Sequence, residues 1–105
     1  MPSTEPATDA PVPSVETVNT MIGELFPGSD NACTELTPTS AVARRDVSDA
    51  ELRPGAFISG PSQFGIADAA LWYLVFGATG RIEPMALTSE LSIRFLRPAQ
   101  GSVLW

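Results

Sequence analysis

The chain has 105 residues, with twelve acidic side chains, six arginines and neither lysine nor histidine, so its net charge is −6. This length provides one small domain. An acidic chain without a basic stripe argues against nucleic acid as a partner, and the lack of a His/Cys cluster argues against a metal site.

Cys33 is the only cysteine, which excludes an internal disulfide. A lone cysteine is typical of a reducing compartment. The first ten residues lack the basic and apolar segments of a signal peptide. The sequence therefore predicts a cytoplasmic protein.

Residues 1–13 contain four prolines among small polar residues, a composition that favours a disordered tail. The domain is expected to cover 14–105. Ser14 is a suitable cap for a short helix that ends at Phe26-Pro-Gly. Its apolar residues recur at helical spacing: Val15, Val18, Ile22 and Leu25.

Residues 33–47 favour a strand interrupted near Pro38 and ended by Arg44 and Arg45. Residues 48–58 are predicted to form a loop that turns at Arg53-Pro-Gly. The expected architecture is α+β.

The central stretch is an apolar helix predicted at about 61–76. Ser59 and Gly60 are suitable caps, Pro61 suits the first helical position, and Gly77 is a typical stop. A helix that is apolar on nearly every side is normally buried. It is shorter than the roughly 20 apolar residues that a membrane span requires, so no membrane is expected.

Asp68 interrupts this apolar pattern about two turns into the helix. A buried carboxylate is costly unless it is paired, and such groups cluster at functional sites. The alternative is an Asp that bonds to a neighbouring backbone group or faces a water-filled crevice.

After the helix, residues 85–96 alternate between apolar and polar and predict a strand whose odd positions cover the helix. Residues 101–105 are expected to open a further strand. These few strands cannot wrap the helix. We therefore expect the sheet to continue beyond Trp105 or to be completed by another chain.

Three pieces between about 53 and 105 resemble the PaaI-like acyl-CoA thioesterases, which have the hotdog fold. They are RPGAFISGP at 53–61, FGIADAA at 64–70 and LTSELSIRFLRPA at 87–99. In that family a Gly-x-x-His-Gly-Gly turn opens the central helix, and an acid follows nine residues after the histidine. Here Ser59 stands in place of the histidine and Pro61 in place of the second glycine.

The resemblance implies an antiparallel sheet wrapped around the central helix, incomplete here at its C-terminal end. It also implies hydrolysis of acyl-CoA thioesters. Asp68 would act as general base or nucleophile, the Gly60 N–H as oxyanion donor, and Thr88 as the hydroxyl that orients water.

The expected substrate contacts also follow from the resemblance. Ser59 occupies the turn position from which the family positions its thioester. Phe57, Phe64 and Trp72 are candidate walls of an acyl channel, with plain core packing as the alternative. Arg94 and Arg97 are candidates for contacting the phosphates of coenzyme A, with ordinary surface arginines as the alternative.

Gly60 and Asp68 are eight residues apart, about 12 Å along a helix, so one chain can hardly bring both to one reacting group. A two-fold homodimer or a homotetramer would pair them across an interface. No cofactor is expected. The competing hypotheses are a non-catalytic hotdog module that binds acyl groups or dimerises, and a hotdog hydratase, which would need an Asp/His pair that this chain lacks.

Overall fold

The computed structural model describes residues 11–105, so residues 1–10 of the predicted tail lie outside it. The fold is α+β, as predicted. A 3-10 turn at Asp49–Glu51 lies between the second and third strands. The helices are α1 (Val15–Leu25) and α2 (Gly60–Thr79), and the strands are β1 (Asn31–Leu36), β2 (Ala41–Asp46), β3 (Leu52–Arg53), β4 (Phe57–Ile58) and β5 (Val103–Leu104).

A three-stranded antiparallel sheet has the order β1-β2-β5, and β3 pairs with β4 separately. The interrupted strand predicted at 33–47 is therefore two strands joined as a hairpin. The Thr37 N–H closes the turn by donating to the Ser40 carbonyl at 2.8 Å. Pro38 suits this turn because it has no N–H to give to a ladder. β5 confirms the strand expected near the end of the chain.

Helix α1 begins directly after Ser14, the predicted cap. The Ser14 hydroxyl accepts the Thr17 N–H at 3.1 Å, and the helix ends at Leu25. Asn19, on the same helix, bonds with its amide group to both the N–H and the carbonyl of Cys33, each at 2.9 Å. A side chain of α1 thus takes the place of a neighbouring strand at this point of the β1 edge.

Helix α2 is longer than predicted. It continues past Gly77 to Thr79, and Gly80, which has φ 77°, caps it by donating its N–H to the Phe76 carbonyl. Gly77 lies inside the helix, where a Cβ would overlap the carbonyl oxygen of Thr37. The glycine is therefore a packing residue that allows the helix to approach the β1–β2 turn.

The core lies between α2, α1 and one face of the sheet. Its buried members are Val18, Ile22, Cys33, Ala43, Ile66, Tyr73 and Phe76. Helix α2 is not buried on every side, contrary to expectation, because Phe64 and Leu71 are each 40% exposed.

Residues 85–96 form no strand, which corrects the prediction from their alternating pattern. They run antiparallel to α2, since Thr88 contacts Asp68 while the Phe95 ring lies beside Gly60. Met85 and Leu87 are 85% and 89% exposed, so these two odd positions do not cover the helix. A strand requires a neighbouring backbone to pair with, and the described residues offer none here.

Replacing Asn19 with Ala is expected to lower the free energy of unfolding by about 1–3 kcal/mol, because both peptide groups of Cys33 lose their partner in a buried place. Urea unfolding measures the change. Thr20→Ala, an exposed change on the same helix, is the control and should lie within about 0.5 kcal/mol of wild type. If the Asn19 variant were as stable as wild type, the hydrogen bonds of Asn19 to the β1 edge would not stabilise the fold.

Gly77→Ala and Gly65→Ala should change stability in opposite directions. Alanine at 77 must displace Thr37 and is expected to cost about 1–3 kcal/mol. Alanine at 65 meets nothing within 4 Å and should gain about 0.5–1 kcal/mol from helix propensity. Thermal unfolding of both variants tests the close approach, and a stabilised Gly77 variant would refute it.

Candidate functional site

Asp68 and Thr88 lie in contact, although they are 20 residues apart in the chain. The Thr88 hydroxyl donates a hydrogen bond to Oδ1 of Asp68. This bond joins the middle of α2 to the extended segment beside it. Two of the three predicted catalytic residues are therefore together.

Both residues border a cleft of about 360 Å³, which we call the Asp68 cleft. Phe26, Trp72 and Tyr73 provide aromatic walls, and Asn31 adds a polar group. The Phe26 and Trp72 rings pack edge to face, with their centroids 5.7 Å apart. The arrangement places a carboxylate and a hydroxyl beside a surface that suits an apolar group.

The start of α2 is closed by Ser59, which is only 4% exposed. Its hydroxyl accepts the Ser62 N–H at 3.2 Å and donates to the Ser62 hydroxyl at 2.8 Å. Ser59 thus serves as a buried cap. Among the described residues, the Gly60 N–H has no hydrogen-bond acceptor, and Pro61 has no N–H, so Gly60 presents the free donor of this turn.

Gly60 and Asp68 do not meet within one chain. Gly60 borders a separate pocket of about 440 Å³ with Phe64 and Phe95, whereas Asp68 faces its own cleft. Of the residues predicted to wall an acyl channel, Trp72 lines the Asp68 cleft and Phe64 does not. Phe57 also lies outside that cleft, with its ring packed against Gly55.

Arg94 and Arg97 line a groove of about 710 Å³ between β2 and residues 93–97, which we call the β2 groove. Ile66 and Ala70 of α2 border this groove, whereas Gly65 and Asp68 border the cleft. The two arginines are therefore on a different side of α2 from Asp68. One chain does not bring them to the predicted catalytic pair.

A polar network at the start of α2 was not predicted. Glu51 accepts Arg45 Nε at 2.6 Å, and Arg45 Nη1 donates to Asn31 at 2.9 Å. The backbone carbonyl of Glu51 also accepts the Ser59 N–H at 2.9 Å. The capping spacing of Ser48 and Glu51 is readable in the sequence, but the partner Arg45 is not.

The network keeps Glu51 ionised. The Ser48 N–H, donating at 2.9 Å, is the largest cause that lowers the pKa of Glu51 from 4.5 to about 2, and Ser62 and Arg45 add to it. The side chain is 11% exposed. A carboxylate that is charged at neutral pH is therefore held next to the first turn of α2.

Two other titratable groups, Cys33 and Tyr73, belong to the buried core, and Tyr73 also borders the Asp68 cleft. Burial raises the pKa of the Cys33 thiol and raises that of Tyr73 to about 12. Both side chains therefore stay neutral at physiological pH. Residues 11–105 contain no group of three His, Cys, Asp or Glu side chains that suits a metal ion.

No helix within residues 11–105 is long and apolar enough to cross a membrane. Comparison of the chain with protein-family models, with curated proteins and with solved structures found no match.

Glu51→Gln should change how stability depends on pH. A carboxyl with a lowered pKa in the folded state contributes stability above its ordinary value of 4.5, and that contribution is lost as the pH falls towards about 2. The variant is expected to be less stable at neutral pH and to lose less stability between pH 4.5 and 2.

Urea unfolding at a series of pH values measures this difference. Asp49→Asn, an exposed change in the same 3-10 turn, is the control and should keep the wild-type profile. If the stability of Glu51→Gln and of wild type changed in parallel with pH, the lowered pKa of Glu51 would be contradicted.

Proposed function

We propose that this protein is a hotdog-fold acyl-CoA thioesterase, which hydrolyses thioesters to a free acid and coenzyme A. The observation that carries the proposal is the contact between Asp68 and Thr88 beside an aromatic cleft. The residues match the positions where the PaaI-like resemblance expects an acid and a hydroxyl. The packing of α2 on an antiparallel sheet is consistent with that fold.

In this proposal the acyl group enters the Asp68 cleft and the thioester carbonyl lies near the carboxylate. Asp68 either takes a proton from the attacking water or attacks the carbonyl itself. The Thr88 hydroxyl donates to Asp68, so its oxygen remains free to accept a hydrogen bond from water and orient it.

The oxyanion would be stabilised by the Gly60 N–H of a second subunit. Within one chain Gly60 opens a different pocket from the one that Asp68 faces, and its N–H lies at the positive end of the helix dipole. A two-fold homodimer, or a homotetramer built from it, unites them. The same dimer would allow Arg94 and Arg97 to reach coenzyme A. We also propose that the protein is located in the cytoplasm.

Asp68→Asn tests the proposal directly. The substitution keeps the size of the side chain and a partner for Thr88, but removes the base, so hydrolysis should fall at least about a hundredfold. Release of the free thiol is measured with short, medium and aromatic acyl-CoA substrates.

The matched control is Asp49→Asn, which alters an exposed carboxyl in the 3-10 turn and should retain wild-type activity. Unfolding curves of both variants exclude loss of fold as the cause. Hydrolysis that is unchanged in Asp68→Asn would remove Asp68 from the mechanism.

The second candidate is a non-catalytic hotdog module that binds acyl groups or dimerises. The separation of Gly60 from Asp68 within one chain favours it, because an unassembled copy holds only part of the site. Binding of acyl-CoA with no hydrolysis by the wild-type protein would support this candidate against the enzyme.

A further inference from the structure

Asn31, the first residue of β1, borders the Asp68 cleft, and its side-chain amide is held in one orientation. The amide oxygen, Oδ1, accepts a hydrogen bond from Arg45 Nη1 at 2.9 Å. A guanidinium group can only donate hydrogen bonds, so the atom that Arg45 contacts must be the oxygen of the amide. The NH2 group therefore lies on the side of the amide that faces away from Arg45.

The groups that hold this amide are themselves fixed. Arg45 Nε donates to Glu51 at 2.6 Å, and both of these side chains are largely buried. The backbone N–H of Asn31 donates to the Ser29 hydroxyl at 3.2 Å. Because Arg45 is positively charged and polarises the amide through its oxygen, the NH2 group becomes a stronger donor. Asn31 thus presents a preorganised hydrogen-bond donor.

The NH2 group of Asn31 is accessible and has no acceptor among residues 11–105. Asn19, the only other asparagine of the chain, uses both ends of its amide to bond to Cys33. Asn31 borders the Asp68 cleft, whereas Arg45 does not. The oxygen of the Asn31 amide is therefore turned towards Arg45, and its NH2 group remains for a ligand in the cleft.

Asn31 lies towards the end of the cleft that is nearer the start of α2. Thr37, which follows β1, approaches Gly77 in the C-terminal part of α2. Six residues of strand span about 20 Å, so the strand leads back from Gly77 along the helix to Asn31. The link through Arg45 to Glu51, which is held next to the first turn of α2, agrees with this position.

Polar and apolar groups are therefore separated along the cleft. Asp68 and Thr88 follow Asn31, and Trp72 lies one turn further along α2, packed against Phe26. A thioester needs hydrogen-bond donors and a base beside its carbonyl group, whereas its acyl chain needs an apolar surface. This order suits a thioester whose carbonyl lies between Asn31 and Asp68 and whose acyl chain extends towards Trp72.

We propose that Asn31 is a further substrate-binding residue, whose NH2 group donates a hydrogen bond to the carbonyl oxygen of the bound acyl-CoA. This inference rests on the proposed function, because it takes an acyl thioester as the ligand. Asparagine side chains and backbone N–H groups both serve as donors in oxyanion holes. Asn31 supplies such a donor from the chain that carries Asp68, whereas the Gly60 N–H would come from a second copy.

Two analogues of hexanoyl-CoA that cannot be hydrolysed test this inference by calorimetric titration of the full chain. In both, a methylene group replaces the sulfur, and in the second a methylene group also replaces the carbonyl. The preference of the protein for the ketone should fall about fivefold in Asn31→Asp, the effect of one hydrogen bond. This variant keeps an acceptor for Arg45. Its added charge repels both anionic analogues, so that repulsion cancels in the preference.

NMR of the isotopically labelled wild-type chain provides a second measurement that needs no variant. The side-chain amide signals of Asn31 should shift on saturation with the ketone and much less with the analogue that lacks the carbonyl. The side-chain amide of Asn19, which is bonded to Cys33, is the internal reference and should not change. Asp30→Asn, an exposed change beside Asn31, is the control variant and should keep the wild-type preference.

Three results would overturn the inference. They are an unchanged preference in Asn31→Asp, an equal response of the Asn31 signals to both analogues, and the absence of binding of either analogue at millimolar concentration. Hydrolysis of hexanoyl-CoA by the wild-type protein is measured separately. Absence of hydrolysis with the ketone preference intact would defeat the thioesterase and leave Asn31 as a binding residue. Hydrolysis without a preference that depends on Asn31 would defeat only this inference.

Discussion

The close packing of α2 on the β1–β2 hairpin is the contact on which the rest of the structure depends. Gly77 allows it, because any larger residue would meet the Thr37 carbonyl. Phe76 and Tyr73, each at most 1% exposed, complete the contact from the helix side. With the C-terminal half of α2 held there, the position of its N-terminal half and the side to which Asp68 points are also determined.

Helix α2 consequently separates three surfaces. The Asp68 cleft lies on one side, the β2 groove on another, and the Gly60 turn at the N-terminal end. Successive residues of a helix point in different directions, so groups on one helix cannot all act on the same atom. Asp68 is therefore joined by Thr88 from the segment that lies beside α2. In the proposed dimer, Gly60 would come from the second copy.

Polar side chains connect elements of the fold that the apolar core does not join. Asn19 occupies one edge of β1, and the pair of Arg45 with Glu51 links the sheet to the start of α2. No buried side-chain nitrogen or oxygen in residues 11–105 lacks a hydrogen-bond partner.

Local sequence signals by themselves determined the two helix starts at Ser14 and Ser59, because a cap acts within one turn of its own residue. They also indicated the α+β class and singled out Asp68 as an acid within an apolar helix. The tertiary structure decided what depended on distant groups. It carried α2 past Gly77 to Thr79, paired 31–36 with 41–46 and left 85–96 unpaired. It also joined Asp68 to Thr88 and Arg45 to Glu51. Each of these requires a partner remote in the chain, and alternation or spacing cannot reveal whether that partner is present.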